Sequence, residues 1–318
     1  MLLRSTLLWL LFSVMASAND HHITKDILSA GGDEIAFASD TQAPLFVEQL
    51  MLKDHHNRKA TGLIFADIVA HRPRALFLLG DVVSWGSSGL AWRRVTRYLD
   101  SCRQNGIPIY ATLGNHELMG IKGMKAKAQR TFKRVFPEYR PTGFVELVDS
   151  VAVILLNSNF GSLSKQDDSF QQQWFRDELQ KLDADPSVEY VIVGCHHSPF
   201  TNSKIAGPSK GVQQKFVPAY VQAKKTVLFL SGHAHAFEHF KKEGKDFMVI
   251  GGGGGVYQPL SKNARAQDLA SGYKPMFHYL TIKRFTDHLL ITSHRLTTDK
   301  SGFVEGMTIN IDRWQQQP

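Results

Sequence analysis

The stretch Ala75-Leu76-Phe77-Leu78-Leu79-Gly80-Asp81 decides the fold. Apolar residues in a row without alternation predict a short strand buried on both faces, the kind found in sheets covered by helices. Gly80-Asp81 at its carboxyl end puts a carboxylate where an open α/β sheet places its ligands. The pattern repeats outward along the chain. Residues 35–38 lead into Ser39-Asp40-Thr41-Gln42, and 107–110 lead into Gly114-Asn115-His116-Glu117. Residues 191–193 precede His196-His197-Ser198-Pro199, and 227–230 precede Gly232-His233-Ala234-His235. A further run, 151–156, has the same buried character. Helical patterns over 61–71 and 90–105 separate the early strands, so the first half predicts a layered α/β sheet.

The tail changes character. From Phe237 onward apolar and polar residues alternate, as in His278-Tyr279-Leu280-Thr281-Ile282-Lys283 and His288-Leu289-Leu290-Ile291-Thr292-Ser293, with a turn over 298–302. Alternation predicts antiparallel strands with one wet face. The two halves together predict two sheets stacked face to face and flanked by helices.

The chain of 318 residues is long enough to bury a large core, and no Pro/Ser-rich linker or repeat divides it. Arg4 followed by an apolar run over 7–15 and Ala16-Ser17-Ala18 reads as a secretory signal peptide over 1–18, leaving 19–318 as one domain. The run is about nine residues, far short of the roughly 20 that cross a bilayer as a helix. A secreted or periplasmic location follows, with no stable membrane span after cleavage. Two cysteines, Cys102 and Cys195, exclude a disulfide-dense scaffold. The net charge of +8 suits anionic substrates or surfaces but serves solubility equally well.

The five strand ends bring together carboxylate, amide and imidazole donors without thiolate, a set that suits Zn, Mn or Fe. One carboxylate between two groups of ligands can bridge paired metals, which clamp a phosphoryl group and acidify water.

In this order the motifs resemble those of the calcineurin-like metallophosphoesterase superfamily over residues 40–235. His197-Ser198-Pro199-Phe200-Thr201-Asn202-Ser203 and Gly232-His233-Ala234-His235-Ala236-Phe237-Glu238 are similar to motifs of its purple acid phosphatase-like branch. Gln171-x-x-Trp174-Phe175 resembles a core helix of that branch. The resemblance implies an α/β class fold, a four-layer α/β/β/α sandwich of two mixed sheets flanked by helices. It also implies two divalent or trivalent metal ions, Fe, Mn or Zn. Asp40 and His235 would hold one metal and Asn115, His197 and His233 the other, with Asp81 bridging. His197 is preferred to His196 because the family's ligand stands two residues before Pro; His196 is then expected to face away, packed or hydrogen-bonded. Asn115 and His116 would contact substrate, and His116 would assist the leaving group after in-line attack by a two-metal-bound hydroxide.

Two positions depart from the pattern. Gln42 stands where most of the superfamily has His, and Ser84 where the purple branch supplies Tyr. Gln42 either ligates through its neutral carbonyl oxygen or only holds a water, and the first metal is expected to exchange more readily. Without a tyrosinate there is no basis for a purple colour. The activity implied is phosphatase-like on small-molecule monoesters. The alternatives are a phosphodiesterase or nuclease on the same fold, or a non-catalytic metal- and phosphate-binding protein. Nucleic acid is not expected as a partner, because no aromatic and basic residues interleave. The oligomeric state stays open.

Three features have plainer readings beside functional ones. The run from Gly251 to Gly255 is either a flexible turn or a set of amides lining the phosphate pocket. The basic residues Lys122, Lys125, Lys127, Arg130, Lys133 and Arg134 make a solvated helix face or a guide for an anionic substrate. Cys195 reads as a small core residue.

Overall fold

The computed structural model describes residues 33–45 and 56–313. The signal peptide expected over 1–18, and the histidines His21, His22 and His55, lie outside the described residues. Among the described residues no helix is long and apolar enough to cross a membrane.

The first sheet has six strands in the order β12-β11-β10-β1-β2-β3. Here β1 is Glu34–Ala38, β2 Ala75–Leu78, β3 Ile109–Ala111, β10 His278–Arg284, β11 His288–Leu296 and β12 Phe303–Asp312. β1, β2 and β3 are parallel, whereas β10, β11 and β12 join antiparallel. The second sheet has the order β4-β5-β6-β7-β9-β8. Its strands are β4 Phe144–Val148, β5 Val151–Leu155, β6 Tyr190–Cys195, β7 Thr226–Ser231, β8 Phe237–Lys242 and β9 Lys245–Ile250. β5, β6, β7 and β9 run parallel, with β4 and β8 antiparallel at the edges.

Among the described residues six α-helices flank the sheets: α1 Asn57–His71, α2 Gly89–Gln104, α3 Lys122–Val135, α4 Lys165–Ala184, α5 Lys210–Lys215 and α6 Val217–Gln222. Ser88 caps α2 by accepting from the Ala91 N–H, and Ser164 caps α4 by accepting from Asp167.

The two-residue period of the strands divides the core. Val151, Val153 and Leu155 of β5 point between the sheets, where they join Leu76, Leu78, Ile192 and Leu228. Ala152, Ile154 and Leu156 point the other way, onto Phe175 and Leu179 of α4 and Phe216 and Tyr220 of the α5–α6 region. A strand apolar at every position therefore fills two layers at once, which is why these runs carry no alternation. The result is the expected four-layer sandwich of two mixed sheets.

The element boundaries differ from the sequence reading at β3, which begins at Ile109 because Pro108 has no N–H to give a ladder. Cys102 and Cys195 are both free and buried, one in each core layer, so no disulfide forms.

Candidate metal centre

Asp40, Asp81 and His233 sit just past β1, β2 and β7, each in the left-handed backbone region, with φ of 59°, 48° and 65°. Non-glycine residues pay for that conformation, and it persists only where surrounding bonds impose it. Here they do. The Asp40 N–H donates to the Gly80 carbonyl (3.1 Å), and both Asp40 carboxylate oxygens accept from the His233 N–H (3.0 and 3.2 Å). Asp81 Oδ1 accepts from the His116 N–H at 2.7 Å. Glycine makes the approach possible: a Cβ on Gly114 would lie 2.1 Å from Asp81 Oδ1, and one on Gly232 2.3 Å from Asp40 Oδ2.

Glu117 ties these loops together. Its buried carboxylate accepts from the backbone N–H groups of Asp81 (2.9 Å), Val83 (2.9 Å) and Gly114 (2.8 Å). Burial and the neighbouring Asp81 charge push its carboxyl up to about 8. The sequence reading quoted Glu117 but gave it no role; its bonds make it the brace of the Asp81 loop.

Two histidines have their protons committed to backbone carbonyls. His196 Nδ1 donates to Leu79 (3.0 Å), which turns Nε2 towards Asn115 Oδ1 at 3.0 Å and Asp81 Oδ2 at 3.2 Å. His235 Nδ1 donates to Val256 (2.5 Å), and its Nε2 faces Asp40 Oδ1 at 3.3 Å. Imidazole nitrogens, carboxylate oxygens and an amide oxygen converge here, and this donor set fits metal ions. Burial opposes charge on His196, but the Asp81 carboxylate outweighs it and pushes the ring up to about 9. Burial and the neighbouring His196 drive His197 down to about 2 and His233 down to about 4, so both rings are neutral at physiological pH, the form that can bind a metal.

The expectation that His196 faces away is overturned. β6 ends at Cys195, and the chain bends at residues 196 and 197, so the alternation of a pleated strand no longer applies to them. One ligand atom each from His196, His197 and His233 lies within 4.8 Å of the others, and the same holds for Asp40, Asp81 and His196. His197 is held from behind by Ser158, whose Oγ accepts from the His197 N–H (2.9 Å) and lies 2.8 Å from Nδ1. Ser158 follows β5, the one apolar run whose carboxyl end the sequence reading left unread. Gln171 of α4 fixes that segment through a reciprocal pair of bonds with the Asn157 backbone (2.8 and 3.0 Å).

Gln42 is buried beside His235. Its amide is satisfied when the nitrogen donates to the carbonyls of Asp81 (2.8 Å) and Asp40 (3.0 Å). The side-chain oxygen then faces His235 Nε2 at 3.5 Å. Ser84 presents its backbone carbonyl to His116 Nδ1 at 3.3 Å, and His116 Nε2 lies 3.9 Å from Asp81 Oδ2.

The glycine run is neither a pocket lining nor a loose turn. The Gly253 N–H donates to the Ser39 carbonyl (2.9 Å) and that of Gly255 to Asp40 (2.8 Å). A Cβ on Gly255 would lie 2.3 Å from the His235 ring. The run cradles the Asp40 loop from behind. Glu238, from the second resembling motif, accepts from Thr201 Oγ1 (2.5 Å) and the Asn202 N–H (2.9 Å), which belong to the first, so the two motifs brace each other. Burial pushes the Cys195 thiol up to about 12, which leaves it a core residue and no nucleophile.

No curated protein matches the sequence significantly. Among solved structures, GAP50, the anchor in the inner membrane complex of Plasmodium, superposes with a TM-score of 0.68 at 15% identity, covering 89% of this chain and 90% of that one. A purple acid phosphatase from yellow lupin (Lupinus luteus) seeds gives 0.67 at 12% identity, covering 87% of this chain and 53% of the lupin chain. A dimetal phosphatase from Danio rerio gives 0.59 at 14%, covering 89% and 99%. At such identities the likeness is one of fold. The sequence profile of the calcineurin-like phosphoesterase family matches residues 34–237, the span that holds every candidate ligand. The chain belongs to that family, and with it to the metal-dependent phosphoric ester hydrolases.

Proposed function

We propose that this chain is an exported phosphatase that hydrolyses small phosphate monoesters at a dimetal centre, with His116 assisting the leaving group. The observation that carries the reading is the placement of His116. Its backbone N–H is fixed on Asp81 Oδ1 and its Nδ1 on the Ser84 carbonyl, so Nε2 stands beside the carboxylate that would bridge the metals. A side chain so placed can hold a proton for a departing alcohol or stabilise charge on the phosphoryl group.

In this reading Asp40 and His235 would hold one metal, with the Gln42 oxygen beside them, and Asp81 would serve both. Asn115, His197 and His233 would hold the other, and His196 would add a donor the sequence reading set aside. The metals supply Lewis acidity towards the phosphoryl oxygens and acidify water. Asn115 and His116 orient the ester. Export rests on the leader pattern of residues 1–18.

The test is hydrolysis of para-nitrophenyl phosphate and its bis-ester by the chain beginning at Asn19, stripped of metal and resupplied with Mn, Zn or Fe. Faster turnover of the mono-ester is expected. Preference for the bis-ester would replace the phosphatase reading with a phosphodiesterase, and no turnover with any metal would replace it with a binding role.

A further inference from the structure

The excess of positive over negative charge in this protein lies on two helices. α2 carries four arginines against the single Asp100, and α3 carries six Lys/Arg and no carboxylate. Removing those ten bases and one acid from the totals of 37 and 29 leaves 27 Lys/Arg against 28 Asp/Glu for all the rest of the chain. The two helices lie side by side, joined by Trp92 packed on Phe132 (ring centroids 6.1 Å apart) and by the Arg103 guanidinium donating to the Val135 carbonyl (2.6 Å). Between them runs a groove of about 580 Å³ with Arg93, Arg103, Lys127 and Arg134 on its walls. Among the described residues only Arg103 of these four has a carboxylate within salt-bridge distance, Asp100 at 3.5 Å.

Exposed apolar side chains stand at the starts of the same two helices. Ile121 and Met124 at the start of α3 are 74% and 43% exposed, and Leu90 at the start of α2 is 53% exposed. Ile121 stands four residues after Glu117, and Leu90 two residues after Ser88, which lines a second cavity with Ser84, Trp85 and Arg94. Exposed aliphatic side chains ringed by Lys and Arg fit a bilayer surface, where the chains enter the acyl boundary and the cations meet anionic headgroups. Nucleic acid fits less well. Its bases need exposed aromatic platforms, whereas Trp92, the aromatic residue of the groove wall, is 5% exposed and packed inward.

We infer that the α2–α3 face docks on anionic lipid bilayers. Docking is independent of turnover, so it stands or falls apart from the proposed phosphatase activity.

The experiment is co-sedimentation with phosphatidylcholine vesicles with and without phosphatidylglycerol, at low and high salt. The chain beginning at Asn19 is used, since every strand and helix described lies within residues 33–313. Binding is expected only to the anionic vesicles and only at low salt. Reversal of three exposed charges in K122E/K127E/R130E should weaken it by about a hundredfold or more. I121S/M124S should weaken it several-fold while keeping the salt dependence. Circular dichroism melting checks that the variants fold. Equal binding to neutral vesicles, or binding untouched by the triple reversal, overturns the inference. Retention of a single-stranded oligonucleotide with no binding to anionic vesicles overturns it in favour of a nucleic-acid surface.

Discussion

Both carboxylate oxygens of Asp81 are engaged: Oδ1 accepts from the His116 N–H and Oδ2 faces His196. Burial opposes its ionisation, yet the His196 charge holds the carboxyl well below the usual carboxylate range. Asp81→Asn keeps the shape but removes the charge that balances two metals, so metal-dependent hydrolysis should disappear and bound metal, measured by elemental analysis, should fall. His116→Ala should behave differently. It removes no ligand, so metal content should hold while kcat falls by about 10²- to 10⁴-fold; a parallel loss of metal would make His116 a structural residue. His196→Ala separates the two adjacent histidines. If its Nε2 is a donor, metal affinity should drop at least about 10- to 100-fold, measured by competition with a chelator. Unchanged affinity would leave His196 as a packed ring. Its place was hidden from the sequence because a two-residue period was extended past Cys195, where the pleat has ended. Glu117 and Ser158 were hidden for another reason: both act through backbone N–H groups and a neighbouring ring, and such partners leave no mark in a motif.

Elements were legible where burial is uniform. β2, β5, β6 and β7 are buried along their whole length and read as unbroken apolar runs. β12 is mostly exposed at the sheet edge, and β4 is only half buried at the edge of the other, so neither carries a strong enough pattern to be read. The glycine run shows how a loop takes its meaning from what packs against it. A Cβ on Gly252 would lie 2.1 Å from Nδ1 of the buried His278 ring, and the backbone N–H of His278 donates to the Gly252 carbonyl (3.0 Å). Neither side can retreat. Gly252→Ala should therefore cost about 1–3 kcal/mol, read from the urea midpoint. Gly272→Ala is the control, since nothing lies within 4 Å of its would-be Cβ. Equal effects would mean that the run is loose after all.

At the scale of the whole molecule, buried histidines link stability to pH. His294 on β11 is 3% exposed, stacked on Tyr279 with ring centroids 4.6 Å apart, and its Nε2 lies 2.9 Å from Thr281 Oγ1. Burial, then the neighbouring His71, drives the ring down to about 4 from the ordinary 6.5. The folded protein therefore keeps His294 neutral to about pH 4, whereas the unfolded chain takes up the proton near 6.5. Between those values the unfolded state binds more protons, so this residue's effect is to lower stability as pH falls from 6.5 to 4, by up to about 1.4 kcal/mol per pH unit. Above 6.5 it contributes no slope. Carboxyls raised by burial, such as Glu146 at about 7, act with the opposite sign, so the total pH profile does not isolate the histidine. A paired comparison does. His294→Gln keeps a polar partner for Thr281 and does not titrate. Urea unfolding of both proteins at several pH values should show the variant gaining on the wild type as pH falls through 6 and 5, with the difference levelling off near 4. A difference that stays constant across that range would mean that His294 is protonated in the folded sheet and that the layer around Tyr279 admits charge.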